Sequence, residues 1–270
     1  MTNTFITYQD AALAYEVQGV GNNVVLLFHG FGQDCSIFRD VPAEQLSVYT
    51  IYAFDIFFHG QSRWGKGDLP IEKELWKLLL GKFLTQEKIE RFTVGGFSIG
   101  SRFVLATFEM YPERVERIML MAPDAVANEF WFRAATSNPL SRSVFKSMIV
   151  SHYPFLKPLR ALQRLGFISS SLQKFAAAQM DTQQKRAQVY YTWTVLRKFC
   201  FNKRILSRQL NDHQTPVHFF VGRFDKVITV AAIETFLKRL KYADIAIMET
   251  GHSGVVKACL PVMLRAGKIE

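Results

Sequence analysis

Ser98 stands in Gly96-Phe97-Ser98-Ile99-Gly100, with a glycine two residues to either side. The apolar run Arg91-Phe92-Thr93-Val94-Gly95 precedes it and reads as a buried strand. After it, Phe103, Ala106 and Met110 recur at helical spacing until Pro112. A serine at so sharp a strand-to-helix turn has its oxygen clear of the sheet, near the positive end of a helix. The two glycines leave room for strand and helix to pack closely. Serine is a poor nucleophile at neutral pH. It needs a base to take its proton and a third group to orient that base. His252, in Gly251-His252-Ser253-Gly254, and Asp225, in Val221-Gly222-Arg223-Phe224-Asp225, are residues of the right types, each just past an apolar run.

The elements that must position these residues alternate along the chain. Phe5 to Tyr8 and Ala11 to Val17 read as two short strands. Val24 to Phe28, Val48 to Phe54, Val115 to Met121, Val217 to Val221 and Ile245 to Met248 read as buried strands. A helix is expected to open at Asp68 and Pro70, with Leu75, Leu79 and Phe83 on one face, and another over roughly 255–265. Such alternation predicts a mainly parallel sheet with helices on both faces. Ser98, Asp225 and His252 then all fall on loops at one edge of it, as does Asp124. From Phe130 to Phe201 the alternation stops. The expectation is a core of residues 1–125 and 211–270 with a helical cap, 126–210, inserted over the carboxyl edge of the sheet, where ligands bind in open α/β folds.

Charge marks the same segment. Val126 to Arg208 holds 14 Lys and Arg against only Glu129 and Asp181, whereas the rest of the chain holds 19 basic and 21 acidic residues. The net charge of +10 therefore belongs to one region, which argues against a generally sticky surface. Three widely spaced cysteines, Cys35, Cys200 and Cys259, suit reduced thiols and not a disulfide framework. The start has neither a basic flank nor an apolar stretch, so no signal peptide is expected. No apolar run approaches the ~18 residues of a membrane span. A cytoplasmic protein is the resulting expectation.

Four motifs taken together, His29-Gly30-Phe31-Gly32, Asp55 to Ser62, Gly96 to Gly100, and the late Asp225 with Gly251-His252, resemble the α/β-hydrolase superfamily, in its capped serine-esterase branch. One departure is visible: Phe58 stands where the superfamily often has a glycine before His59. The resemblance implies Ser98 as nucleophile, His252 as general base and then acid, and Asp225 as the orienting carboxylate. Asp124 is the alternative acid, since some members take it from the preceding loop. It also implies an oxyanion hole formed by the backbone N–H groups of Phe31 and Ile99. His29 and His59 are expected to be structural, bonding backbone in their loops. The activity implied is hydrolysis of a small or medium carboxylic ester through an acyl-serine intermediate.

Arg102, one helical turn after Ser98, resembles a position in the menaquinone-pathway lyase of the same superfamily. It raises the alternative of a lyase or C–C bond hydrolase with an anionic substrate. A non-catalytic ligand-binding homologue is a third reading. Substrate contacts are expected from Phe97, Arg102, Trp131, Tyr190 and Trp193, the last three drawn from a cap rich in aromatics that also include Tyr153 and Phe155. These favour a small molecule with an apolar acyl or aromatic group. The basic segment adds the prospect of an anionic substrate or peripheral contact with an anionic lipid surface. No nucleic-acid partner is expected, because no binding motif accompanies the charge. His213 and His218 lack metal-ligand spacing, and Gly30, Gly32 and Gly60 form no phosphate loop, so neither metal nor cofactor is expected. Oligomeric state is left open.

Overall fold

A computed structural model describes residues 4–127, 130–150, 177 and 179–264. Tyr153 and Phe155 lie outside the described residues. The chain divides into two units. The first comprises Met1–Lys66, Glu72–Asn128 and Phe199–Glu270, and the second Gly67–Ile71 and Glu129–Lys198. This division departs from the boundaries read in the sequence. Residues 199–210 belong to the first unit, because Phe199 is fully buried against Phe103 and Trp76 at ring distances of 5.4 and 6.2 Å. Gly67–Ile71 joins the second.

In the first unit the strands are β1 (Thr4–Tyr8), β2 (Ala11–Gln18), β3 (Asn23–Phe28), β4 (Tyr49–Phe54), β5 (Arg63–Trp64), β6 (Phe92–Phe97), β7 (Val115–Met121), β8 (Val217–Gly222) and β9 (Ala243–Met248). They form one sheet in the order β1-β2-β4-β3-β6-β7-β8-β9, with β5 paired to β2. The pairs β1–β2 and β2–β4 are antiparallel, and every pair from β4 through β9 is parallel. All six residues of β6 and of β8 are buried, as the unbroken apolar runs require. Helices α1 (Ala43–Leu46), α2 (Lys73–Gln86) and α3 (Ser101–Met110) also belong to the first unit.

The second unit contributes α4 (Phe130–Thr136), α5 (Pro139–Ser147) and α6 (Gln183–Val195), and the first resumes with α7 (Lys203–Asp212), α8 (Val230–Leu237) and α9 (Val255–Met263). Aromatic stacking fills the core beside β6: Phe28 lies between Phe54 and Phe103 at 5.1 and 5.4 Å, and Trp76 meets Phe103 at 5.1 Å. Burying each such ring contributes about 1.5–3 kcal/mol.

The helix expected to open at Asp68 begins instead at Lys73. Asp68 serves the second unit. Its carboxylate accepts from the Tyr190 hydroxyl at 2.9 Å and the Lys146 ammonium at 3.1 Å, and its carbonyl accepts from Arg197 at 2.9 Å. The Ile71 N–H donates to the Val195 carbonyl at 2.9 Å. Within this unit Asn138 and Ser141 cap the start of α5 reciprocally, and Thr182 caps α6. Phe145 is buried between Tyr190 and Trp193, at 5.4 and 5.8 Å. Among the described residues, no helix is long and apolar enough to cross a membrane.

Candidate active site

Ser98 follows β6 directly and opens a single 3-10 turn, Ser98–Gly100, that feeds α3. Its φ is +50°, a left-handed conformation that costs an L-residue about 1–2 kcal/mol. Close packing holds that strain in place. A Cβ on Gly100 would lie 2.3 Å from the Phe28 carbonyl oxygen, so only glycine lets α3 start this near β3.

Asp225 lies three residues beyond β8 and His252 four beyond β9, on neighbouring strands of the sheet. The two loops extend the β8–β9 pairing: Arg223 N–H donates to the Met248 carbonyl at 2.8 Å, and Phe224 N–H to the Thr250 carbonyl at 3.0 Å. Gly222 permits this approach, since a Cβ there would sit 2.4 Å from the Thr250 oxygen. The Asp225 side chain is wholly buried and both its oxygens are used. Oδ1 accepts the N–H groups of Val227 and Ile228, each at 2.8 Å, and Oδ2 accepts Nδ1–H of His252 at 2.7 Å. With the proton on Nδ1, the lone pair of Nε2 faces the Ser98 hydroxyl at 3.3 Å. That distance is on the long side of a hydrogen bond, as is common before substrate tightens a site.

The arrangement brings together the three residues that the sequence singled out. It also separates the two candidate acids. Asp124 meets Arg102, whose Nε donates to it at 2.7 Å, whereas Asp225 meets His252.

Ile99 follows Ser98 in the same 3-10 turn, and Phe31 lies in the loop after β3. Around Phe31, the Gly30 N–H donates to Gln33 Oε1 at 3.1 Å and the Gly32 N–H to His59 Nε2 at 3.0 Å. Among the described residues, neither the Phe31 nor the Ile99 N–H donates to a protein acceptor.

His29 and His59 bond backbone, as their loop settings implied. His29 Nδ1–H donates to the Gly30 carbonyl at 2.7 Å and Nε2 accepts the Ile56 N–H at 3.0 Å. His59 Nδ1–H donates to the Phe57 carbonyl at 3.0 Å while Nε2 holds Gly32. Burial lowers both imidazoles, His29 to about 4 and His59 to about 3, so both are neutral at pH 7. Asp55, whose role the sequence did not reveal, ties the same loops: it accepts from Cys35 N–H at 2.8 Å and Gln61 N–H at 2.7 Å. Gln33 is the other contributor missed. Phe58 stands in a left-handed backbone conformation, with φ at +67°.

The expected substrate contacts fare differently. Phe97 is buried and packs its ring on the His252 imidazole, 5.0 Å between centroids, so it steadies that ring. Arg102 is corrected from a substrate contact to a structural residue. It is fully buried, bonded to Asp124 and, through Nη1, to the Phe199 carbonyl at 2.9 Å. Tyr190 is likewise buried, with its hydroxyl on Asp68. Trp193 packs on Phe132 and Phe145, and Trp131, 39% exposed, packs on Phe130, all within the second unit. Among the described residues, no group of three or more His, Cys, Asp or Glu is placed to hold a metal ion.

Comparisons with known proteins agree on the fold. A family model described as "alpha/beta hydrolase fold" matches residues 23–257. Uncharacterised proteins of Mycobacterium tuberculosis and Mycobacterium bovis are each 27% identical to this chain over 128 residues, or 47% of it. The match spans only 37% of those relatives' own length. Among solved structures, a thermophilic esterase from Thermogutta terrifontis superposes with a TM-score of 0.66 at 16% identity, covering 95% of this chain and 93% of its own. The thioesterase domain of the curacin biosynthetic pathway gives 0.66 at 14% identity over 96% of both chains. An enol-lactonase from Burkholderia xenovorans gives 0.64 at 17%, covering 94% and 95%. At these identities the structural likeness establishes the fold alone.

Proposed function

We propose a serine hydrolase acting on uncharged carboxylic esters: the chain belongs to the α/β-hydrolase family, and that membership is the premise for reading its site. The observation that carries the proposal is the unbroken relay from Asp225 through His252 to Ser98, at 2.7 and 3.3 Å. In this reading His252 Nε2 takes the Ser98 proton as Oγ attacks the carbonyl carbon. The imidazolium that forms is stabilised by Asp225, which also fixes the ring's tautomer. Charge on the carbonyl oxygen is taken up by the Phe31 and Ile99 N–H groups. Collapse breaks the C–O bond to the alcohol, which leaves with the proton from His252. Water, deprotonated by the same imidazole, then attacks the acyl carbon and releases the acid from Ser98.

The surroundings of Ser98 support an apolar acyl group. Phe97 and Ile99 adjoin it in the chain, and the guanidinium nearest in sequence, Arg102, is buried and bonded to Asp124 and Phe199. That commitment weighs against Arg102 as the anion-binding residue of a lyase or C–C bond hydrolase.

The test is turnover of p-nitrophenyl esters of increasing acyl length, with Ser98→Ala beside wild type. The expected result is measurable turnover with an optimum at short to medium chains, reduced on the order of 10⁴-fold or more in the variant. Equal rates for wild type and variant on every ester would sink the proposal.

A further inference from the structure

The first residue of α3, Ser101, is fully buried; its N–H donates to the carbonyls of Ile99 and Ser98, and its hydroxyl makes two further hydrogen bonds. Its hydroxyl donates to the Ser98 carbonyl oxygen at 2.6 Å and accepts the Ala125 N–H at 3.1 Å. The first of these bears on chemistry through the peptide plane. The Ser98 carbonyl and the Ile99 N–H belong to one planar trans peptide, in which the two bonds point in opposite directions. Fixing the carbonyl on one side therefore aims the N–H on the other. Ile99 N–H is the donor that the hydrolase reading assigns to the oxyanion.

The second bond ties Ser101 to the segment by which the chain leaves the first unit, and that segment is held by further bonds. Arg102 Nε grips Asp124, the residue before Ala125, and Arg102 Nη1 grips Phe199, where the chain returns to the unit. Lys203 closes the ring: its ammonium donates to the carbonyls of Val126 at 2.6 Å and Ala127 at 3.3 Å. Helix α3, the departing segment and the returning segment are thus bonded pairwise. A buried ion pair is a poor source of stability, since apolar residues of similar volume often do as well. What an apolar side chain lacks is the reach of one guanidinium to two defined acceptors.

We infer that Ser101 is a positioning residue that aims the Ile99 N–H at the developing oxyanion, and that Arg102 keeps in register the departing segment to which Ser101 is bonded. The inference rests on the serine-hydrolase reading and deepens it. An oxyanion donor acts in the transition state and not on bound substrate, so the effect falls on kcat.

The experiment measures kcat and KM of Ser101→Ala and Arg102→Lys on a short p-nitrophenyl ester. Rates are expressed per active site titrated with a fluorophosphonate, and folding is checked by circular dichroism. Ser101→Ala is expected to lower kcat about 10- to 100-fold, below the 10²–10³ typical for complete loss of a donor, because the amide stays but loses its aim. KM is expected to hold. Arg102→Lys keeps the charge but reaches one acceptor, and is expected to show a smaller fall of the same kind. It also serves as the second variant should Ser101→Ala fail to fold. A merely structural role predicts fewer titratable sites and a lower Tm with unchanged kcat per site, and that result overturns the inference. Absence of ester turnover in wild type would instead bring down the hydrolase reading, and this inference with it.

Discussion

The loops around Ser98 and the helices of the second unit are held by opposite means. In the loops, polar side chains bind backbone. His29 takes Ile56, His59 takes Gly32, Asp55 takes Cys35 and Gln61, and Asp225 takes Val227 and Ile228. Each bond demands an acceptor side chain of a particular reach at one position. Among the described residues, the second unit is held by rings packed on rings, with polar hubs at Asp68 and at Arg186, whose guanidinium donates to the carbonyls of Ile149 at 3.2 Å and Met180 at 3.1 Å. Aromatic packing sets volume and shape, which many sequences can satisfy. The loops around Ser98 therefore depend on residue identity, whereas the second unit depends more on bulk.

If that contrast is right, Asp225→Asn abolishes function at little cost in stability. The amide oxygen can still accept from backbone N–H groups, but the carboxylate that fixes the His252 tautomer is gone. The expected loss is roughly 10³–10⁴ in kcat. Steady-state kinetics with circular dichroism would check it, and a variant within tenfold of wild type would break the account of the site.

The second prediction concerns pH and separates the two regions by window. His29 and His59 have folded-state pKa values near 4 and 3, below the unfolded value of about 6.5. The unfolded chain therefore binds more protons as pH falls below 6.5, and stability declines with it. By pH 5 each histidine accounts for about 2 kcal/mol of lost stability. Asp68 behaves differently. Its carboxyl is held below the usual range by the Tyr190 hydroxyl and Lys146, so its contribution is lost only as pH falls further, through the carboxylate range. Thermal denaturation from pH 7.5 to 4 is expected to show Tm falling first between pH 6.5 and 5. A flat Tm down to pH 5 would contradict the burial of neutral imidazoles.

The smallest effect is expected at the Asp68 hub. Asp68→Asn weakens a half-exposed ion pair with Lys146 but keeps an acceptor for Tyr190. The cost is about 1 kcal/mol or less, or a few degrees in Tm at most, with kcat on a short ester unchanged. A large loss of turnover would show that the second unit bears on the chemistry more directly than this contrast allows.

The contrast also explains what could be read in the sequence. The strands of the first unit were legible because burial on both faces writes continuous apolar runs, as in Val24 to Phe28 and Val217 to Val221. Ser98, Asp225 and His252 were legible because glycines mark the close approaches around them. Phe58 shows the limit of that cue, since the backbone there is left-handed without a glycine. Arg102 was misread because spacing places it one turn from Ser98 but does not say which way it points. The start of α2 was misread for a related reason: Asp68 has the type of a helix cap, yet its partners, Tyr190 and Lys146, lie far along the chain. Asp55 and Gln33 gave no signal, because their acceptors serve backbone groups that leave no trace in composition.

The most direct test of the central claim is mass-spectrometric mapping of fluorophosphonate labelling on folded protein, with Ser98→Ala as control. The account predicts one modified residue, Ser98, and no labelling in the variant. Labelling elsewhere, or ester turnover that survives in Ser98→Ala, would contradict it.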